Sequence, residues 1–303
     1  MPQEGGGERW STTIRTGLAR LAPHLVLLVI VFMGVISATA VTAAFGVGYT
    51  AATGGPDGAN EGEYMSNSCN VMGLEIRGCL YTYAPLTADG APDPASGCDT
   101  ITSAEDVTWA LEEAARDPHI KAVVLQIDSG GGSPVAAEEI AAALRALGKP
   151  SVAWVRESAN SASYWVASAA DTIIAAKGSD LGGIGVTYSY VDNAKQNIQD
   201  GLTYNQLTTG KYKDTGTPER PLTPDERALI QRDLNITLQD FIATVAAGRH
   251  LPVAQVAALA DGSSMLGQMA LDNGLIDALG NKQEVWQQLA AYVGTEPDVC
   301  WPL

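Results

Sequence analysis

The sequence predicts an α/β domain on a parallel sheet, preceded by one N-terminal transmembrane helix. Short β-branched runs alternate with helical patterns between Val71 and Ala176. Small-residue turns follow two of those runs, at Ser129–Ser133 and Glu157–Ser163. Upstream, no Asp, Glu, Lys or Arg occurs between Arg20 and Asp57, and Leu25 to Val47 is almost wholly apolar. A bilayer-spanning helix needs about 20 such residues.

Arg9, Arg15 and Arg20 precede the apolar run. The positive-inside bias therefore predicts a cytoplasmic tail over 1–22, an anchor over 23–48 and a flexible linker over 49–63. On this reading residues 64–303 would form the domain outside the cytoplasm, and the chain would sit in the cell membrane as a single-pass protein. Ala38-Thr39-Ala40 would suit a signal-peptide cleavage, yet the apolar run continues past it, which favours a retained anchor.

Within the domain, Val71 to Tyr83 alternates as a strand does, and Leu86 to Cys98 is a Pro/Gly/Asp-rich loop. Ser103 with Asp106 opens a helix that Asp117-Pro118 closes. Ala122 to Ile127 is a buried strand; a glycine turn and a helix from Pro134 follow. Ser151 to Val155 is the next strand, Ser161 to Ala170 a helix and Thr172 to Ala176 a third strand. Tyr188 to Gly201 resembles a further helix, and a long one runs from Pro224 to Gly248. Short helices at Pro252–Ala260, Gly267–Asn273 and Gln283–Tyr292 surround a Leu275-Ile276 strand.

The formal charge of −16 repels phosphate backbones, so nucleic acid is not the partner. Cys69, Cys79, Cys98 and Cys300 all follow the anchor, where an oxidising compartment permits two disulfides in any of three pairings. Their spacings match no metal-ligand pattern, and with three histidines in the chain a zinc site is not expected.

In parallel α/β folds, strand-to-helix turns present their loops at the carboxyl edge of the sheet, where ligands bind. Asp128-Ser129-Gly130-Gly131-Gly132-Ser133 exposes backbone N–H groups suited to an oxyanion. The second turn surrounds serines with small residues at a helix start, although Ser158, Asn160, Ser161 and Ser163 could equally be N-caps. A serine needs a base. His24 belongs to the anchor, His119 falls at the opposite edge of the sheet and His250 follows a long helix, so no Ser-His-Asp triad is expected. Lys211 and Lys213 remain, on one side of the chain if it is extended there, so that the charge of one favours the neutral form of the other. Two solvated loop lysines are the plain alternative.

These residues resemble the signal peptide peptidase A type, the S49 serine peptidases, from about Val71 to Ala291. Ala159-Asn160-Ser161-Ala162-Ser163-Tyr164-Trp165 is similar to the A-A-S-G-G-Y-[WY] motif, which places the nucleophile on Ser161. Gly210-Lys211-Tyr212-Lys213 resembles the segment around the catalytic lysine, placing the base on Lys213 with Lys211 as runner-up. Asp128–Ser133 and Leu181-Gly182-Gly183-Ile184-Gly185-Val186 resemble N-S-P-G-G-G and T-G-S-I-G-V. Gly130, Ser133, Ala162 and Ser163 depart from the family pattern.

The resemblance implies a ClpP/crotonase-like spiral of ββα units and oxyanion donors from the N–H groups of Gly132 or Gly131 and of Ala162. It also implies a homo-oligomeric ring in which serine and lysine meet across protomers. Substrates would be apolar peptides such as signal-peptide remnants, with no metal or cofactor required. Two other readings stand beside it: a non-catalytic scaffold, and an acyl-CoA enzyme of crotonase type, which export disfavours.

Overall fold

The computed structural model describes residues 69–87 and 90–301. The tail, anchor and linker expected over 1–63 lie outside them. Among the described residues no helix is long and apolar enough to cross a membrane.

The framework is an α/β fold on a largely parallel sheet. Its main strands are β1 (Val71–Tyr81), β2 (Ile101–Ser103), β3 (Ala122–Gly132), β4 (Ser151–Asn160), β5 (Thr172–Ala175) and β8 (Ala278–Leu279), in the order β2-β1-β3-β4-β5-β8. All of these pairs are parallel. Beyond β5, the end of β4 pairs with β6 (Asp180–Gly182), which pairs antiparallel with β7 (Ser264–Leu266). β9 (Val299–Cys300) returns to the start of β1.

Alternation along the strands builds two cores. Val123, Leu125 and Ile127 face one way, into a cluster with Leu111, Ile140, Tyr164 and Phe241. Val124 and its neighbour across the ladder, Val152, face the other way, onto Val285 and Leu289. The first face is covered by α1 (Ala104–Arg116), α2 (Pro134–Ala146) and α3 (Ala162–Ala167). Covering both faces is the usual condition of a parallel sheet.

Helix starts follow local chemistry. The Ser103 hydroxyl accepts from the Asp106 N–H at 3.2 Å, and Ser133 caps α2 with Pro134 in its first turn. The long helix from Pro224 to Gly248 opens on a reciprocal capping box between Thr223 and Glu226.

Three expectations change. The glycine run is the end of β3 rather than a turn: a register shift between Arg77 and Cys79 lets pairing with β1 resume, with Cys79 opposite Gly131 and Leu80 opposite Gly132. Leu275-Ile276 is not a strand, because the Leu275 N–H closes the preceding helix by donating to Ala270 O at 2.8 Å; pairing starts at Ala278. Of the helix expected over Tyr188–Gly201, only Ala194–Gln199 forms.

The disulfides are Cys69–Cys300, which ties β1 to β9, and Cys79–Cys98, which staples the loop before β2. The first closes a sequence separation of 231 residues. A cross-link of that span removes much unfolded-chain entropy, so a Cys69→Ser/Cys300→Ser chain is expected to lose about 2–5 kcal/mol in denaturant unfolding. An unchanged midpoint would show that the C-terminal strand contributes little to folding.

Candidate active site

Ser161 lies between the end of β4 and the first residue of α3, with φ 53° and ψ −126°. Positive φ is uncommon outside glycine and carries a cost of about 1–3 kcal/mol, sustained only when the surroundings fix it. Several contacts fix it here. The Ser161 N–H donates to Gly182 O at 2.8 Å, and Ser161 O accepts from the Trp165 N–H at 3.0 Å. A Cβ on Gly131 would stand 2.8 Å from both Asn160 O and Ser161 Cβ; one on Gly183 would stand 3.2 Å from Ser161 N. The turn is therefore pressed between two glycine-bearing strands.

Hydrogen bonding separates the candidate serines. Ser163 is fully buried, its hydroxyl placed to donate to Ser129 O (2.7 Å) and Asn160 O (2.8 Å). The Ser158 hydroxyl donates to Asp128 Oδ1 at 3.2 Å. Ser161 alone of the three makes no side-chain hydrogen bond among the described residues, and it opens on a cleft of about 660 Å³. Tyr164 anchors the helix behind it. Its phenol, kept protonated by burial, donates to Leu275 O at 2.8 Å.

Gly132, Ser161 and Ala162 line the cleft. The Ala162 N–H occupies the first position of α3, where a helix offers no carbonyl partner. The Gly131 N–H is already committed to Ser129 Oγ at 3.1 Å. Trp165 and Phe241 form an apolar wall, stacked with centroids 4.7 Å apart. Asn160 Oδ1 and Trp165 Nε1, in two residues of the same lining, are buried without a hydrogen-bond partner. Of the two described histidines, neither lines the cleft; His119 pairs with Asp117 at 3.0 Å and His250 is exposed.

Lys213 is exposed and is not among the residues that line the Ser161 cleft. It lies in an arm that leaves the cleft at Val186 and Thr187, and no residue from Thr187 to Leu222 is buried. Among the described residues the Lys213 ammonium has no hydrogen-bond or ion-pair partner, although its backbone N–H donates to Gly210 O at 3.2 Å. Lys211 differs: its ammonium donates to Asp225 at 2.5 Å, and that carboxylate raises its pKa and holds the proton on.

A family model described as peptidase family S49 matches residues 143–296, a span that takes in Ser161 and Lys213. The chain belongs to peptidase family S49. A Synechocystis member named as a protease is 33% identical to this S49 chain over 206 residues, covering 64% of it and 74% of the relative. A Methanocaldococcus jannaschii relative whose name also carries the word protease is 34% identical over 181 residues, with 59% and 58% covered. Protease 4 of Salmonella typhi is 32% identical over 199 residues, which are 64% of the S49 chain but 31% of Protease 4. The chain thus spans between about a third and three quarters of the length of these relatives. A solved structure of the 1510-N membrane-bound stomatin-specific protease with a substrate peptide has a TM-score of 0.49 at 16% identity, covering 76% of the S49 chain and 90% of its own.

Some of the S49 site was not visible in the sequence. Phe241, which completes the wall with Trp165, and Asp261 enter the cleft through long-range packing, and only the β6–β7 pairing could have signalled Asp261.

Two outcomes follow for this S49 domain. In Gly131→Ala the new methyl group must displace Ser161, and an ångström-scale displacement is expected to lower peptide hydrolysis about a hundredfold. Retained hydrolysis would show that the close approach is not needed. The second concerns the root of the arm, where Arg220 grips Glu226 at 2.8 and 2.7 Å. That guanidinium, with the Thr223 N–H, holds the Glu226 carboxyl down to about 2. A depressed folded pKa means the grip is complete above the ordinary carboxylate value of about 4.3 and is lost as pH falls through the folded value. Amide exchange in the segment from Asp214 to Thr223 is expected to rise as pH approaches about 2 and, in Glu226→Gln, already at neutral pH. Equal exchange in both chains would contradict it.

Proposed function

We propose that this chain is a membrane-anchored serine endopeptidase in which Ser161 is the nucleophile and Lys213 of a neighbouring copy is the general base. The observation that carries the reading is Ser161 itself, held at positive φ with a free hydroxyl at the cleft. Neutral Lys213 takes the Ser161 proton as Oγ attacks the substrate carbonyl. The N–H groups of Gly132 and Ala162 hold the oxyanion, in preference to that of Gly131, which serves Ser129. As the C–N bond breaks, the leaving amine takes the proton back from Lys213. Water, deprotonated in turn by Lys213, then hydrolyses the acyl-enzyme. A lysine serves as base only when burial or a neighbouring cation favours its neutral form.

Docking of the arm on another copy would bury Lys213. Supporting this, the arm displays Val191, Ile198 and Leu207 at 81%, 77% and 97% exposure, apolar surface that docking on another copy would cover. Such docking is consistent with a ring of the ClpP/crotonase type. The unpartnered Asn160 Oδ1 and Trp165 Nε1 suit the N–H and C=O groups of a peptide backbone, and the aromatic wall suits apolar side chains such as those of signal-peptide remnants. The two disulfides favour a domain outside the cytoplasm.

Co-expression of Ser161→Ala with Lys213→Ala tests the shared site. Each single variant is expected to be inactive. The mixed assembly should regain about a quarter of wild-type hydrolysis, the share of interfaces pairing an intact serine with an intact lysine. Hydrolysis by Lys213→Ala alone would remove the lysine from the mechanism, and a mixture as inactive as its parents would place the dyad within one chain.

A further inference from the structure

Among the described residues that line the Ser161 cleft, Asp261 is the one that is charged. Its place is set by the same strand that holds the serine. Gly182 O accepts from the Ser161 N–H, Gly182 pairs with Ser264, the Gly183 N–H donates to Ser263 O at 3.2 Å, and the Gly262 N–H donates to Ile184 O at 3.1 Å. The loop 261–264 is therefore tied to β6 and the residues just after it, and β6 in turn is tied to the nucleophile turn.

The carboxylate itself is oriented. Oδ1 accepts from the Ser263 N–H at 2.9 Å and from the Ser263 hydroxyl at 2.6 Å. The hydroxyl and then the amide hold its pKa below the ordinary carboxylate range, so the group is anionic at neutral pH. Among the described residues it has no ion-pair partner. An exposed anion held in place without a counter-charge, beside a cleft whose other lining residues are uncharged, selects for a cation.

We infer that Asp261 is a specificity determinant that selects peptides carrying a positive charge, from a lysine or arginine side chain or a free α-amino group, next to an apolar residue seated on the Trp165–Phe241 wall. This deepens the peptidase reading and rests on it. The chain's formal charge of −16 acts in the same direction by steering cationic peptides toward the surface. The same carboxylate repels the phosphates of an acyl-CoA.

The test uses the full-length chain and matched apolar peptides that differ only in lysine against acetyl-lysine, with the amino terminus free or acetylated. Affinity is read on Ser161→Ala, which binds without turnover, and hydrolysis on the wild type. Lysine peptides, or free-terminus peptides if the α-amino group is the source, should bind about two- to fivefold tighter than their neutral matches at low salt. The preference should shrink as ionic strength rises. It should vanish in Ser161→Ala/Asp261→Asn and invert toward glutamate peptides in Ser161→Ala/Asp261→Lys. An equal preference with and without the Asp261 carboxylate overturns the inference even if hydrolysis is robust. A charge preference in binding with no hydrolysis by the wild type sinks the peptidase reading and leaves the selectivity standing.

Discussion

The contact on which the site depends is between two strand ends: the glycine end of β3 and the turn at Ser161. The strands run side by side, so their ends approach within van der Waals distance only if one lacks side chains. Gly131 supplies that absence against Asn160 and Ser161, and Gly132 supplies it against Leu80, whose carbonyl would lie 2.2 Å from an added Cβ. The Ser163 hydroxyl then binds Ser129 O and ties the first turn of α3 back to β3. Strain at Ser161 is thus maintained by packing on one side and by the Gly182 carbonyl on the other.

From that contact the division of labour follows. The sheet and its helices fix serine, amides and apolar wall in one chain, all rigid and mostly buried. The lysine is carried on an arm with no buried residue between Thr187 and Leu222. The root of that arm is locked by the Arg220–Glu226 pair at 2.7 Å, and Lys211 ties it to Asp225 of the long helix. In the proposed mechanism such a base would gain its reactive form on assembly, which would couple proteolysis to the oligomer and keep the isolated chain idle.

Features set by neighbouring residues were legible in the sequence. The helix start at Ala104 was foreseen from Ser103 with Asp106 three residues on, and those at Pro134 and Pro224 were placed at a proline; in the structure all three are capped by the residue before them. Alternation exposed β1, and short continuous apolar runs exposed β3 and β4. Features set by distant residues were not legible. Ser158, Ser161 and Ser163 looked alike until Asp128 and Ser129 occupied the first and last of them from 30 and 34 residues away. The pairing of Cys69 with Cys300 depends on β9 returning to β1, and Asp261 reaches the cleft only through the β6–β7 pair.

The most direct measurement is intact and peptide-level mass spectrometry of the chain after exposure to a serine-directed fluorophosphonate. The account predicts one adduct per chain, on Ser161, formed in the assembled protein and suppressed by Lys213→Ala. An adduct on Ser158 or Ser163, or labelling of Ser161 indifferent to both assembly and Lys213, would contradict it.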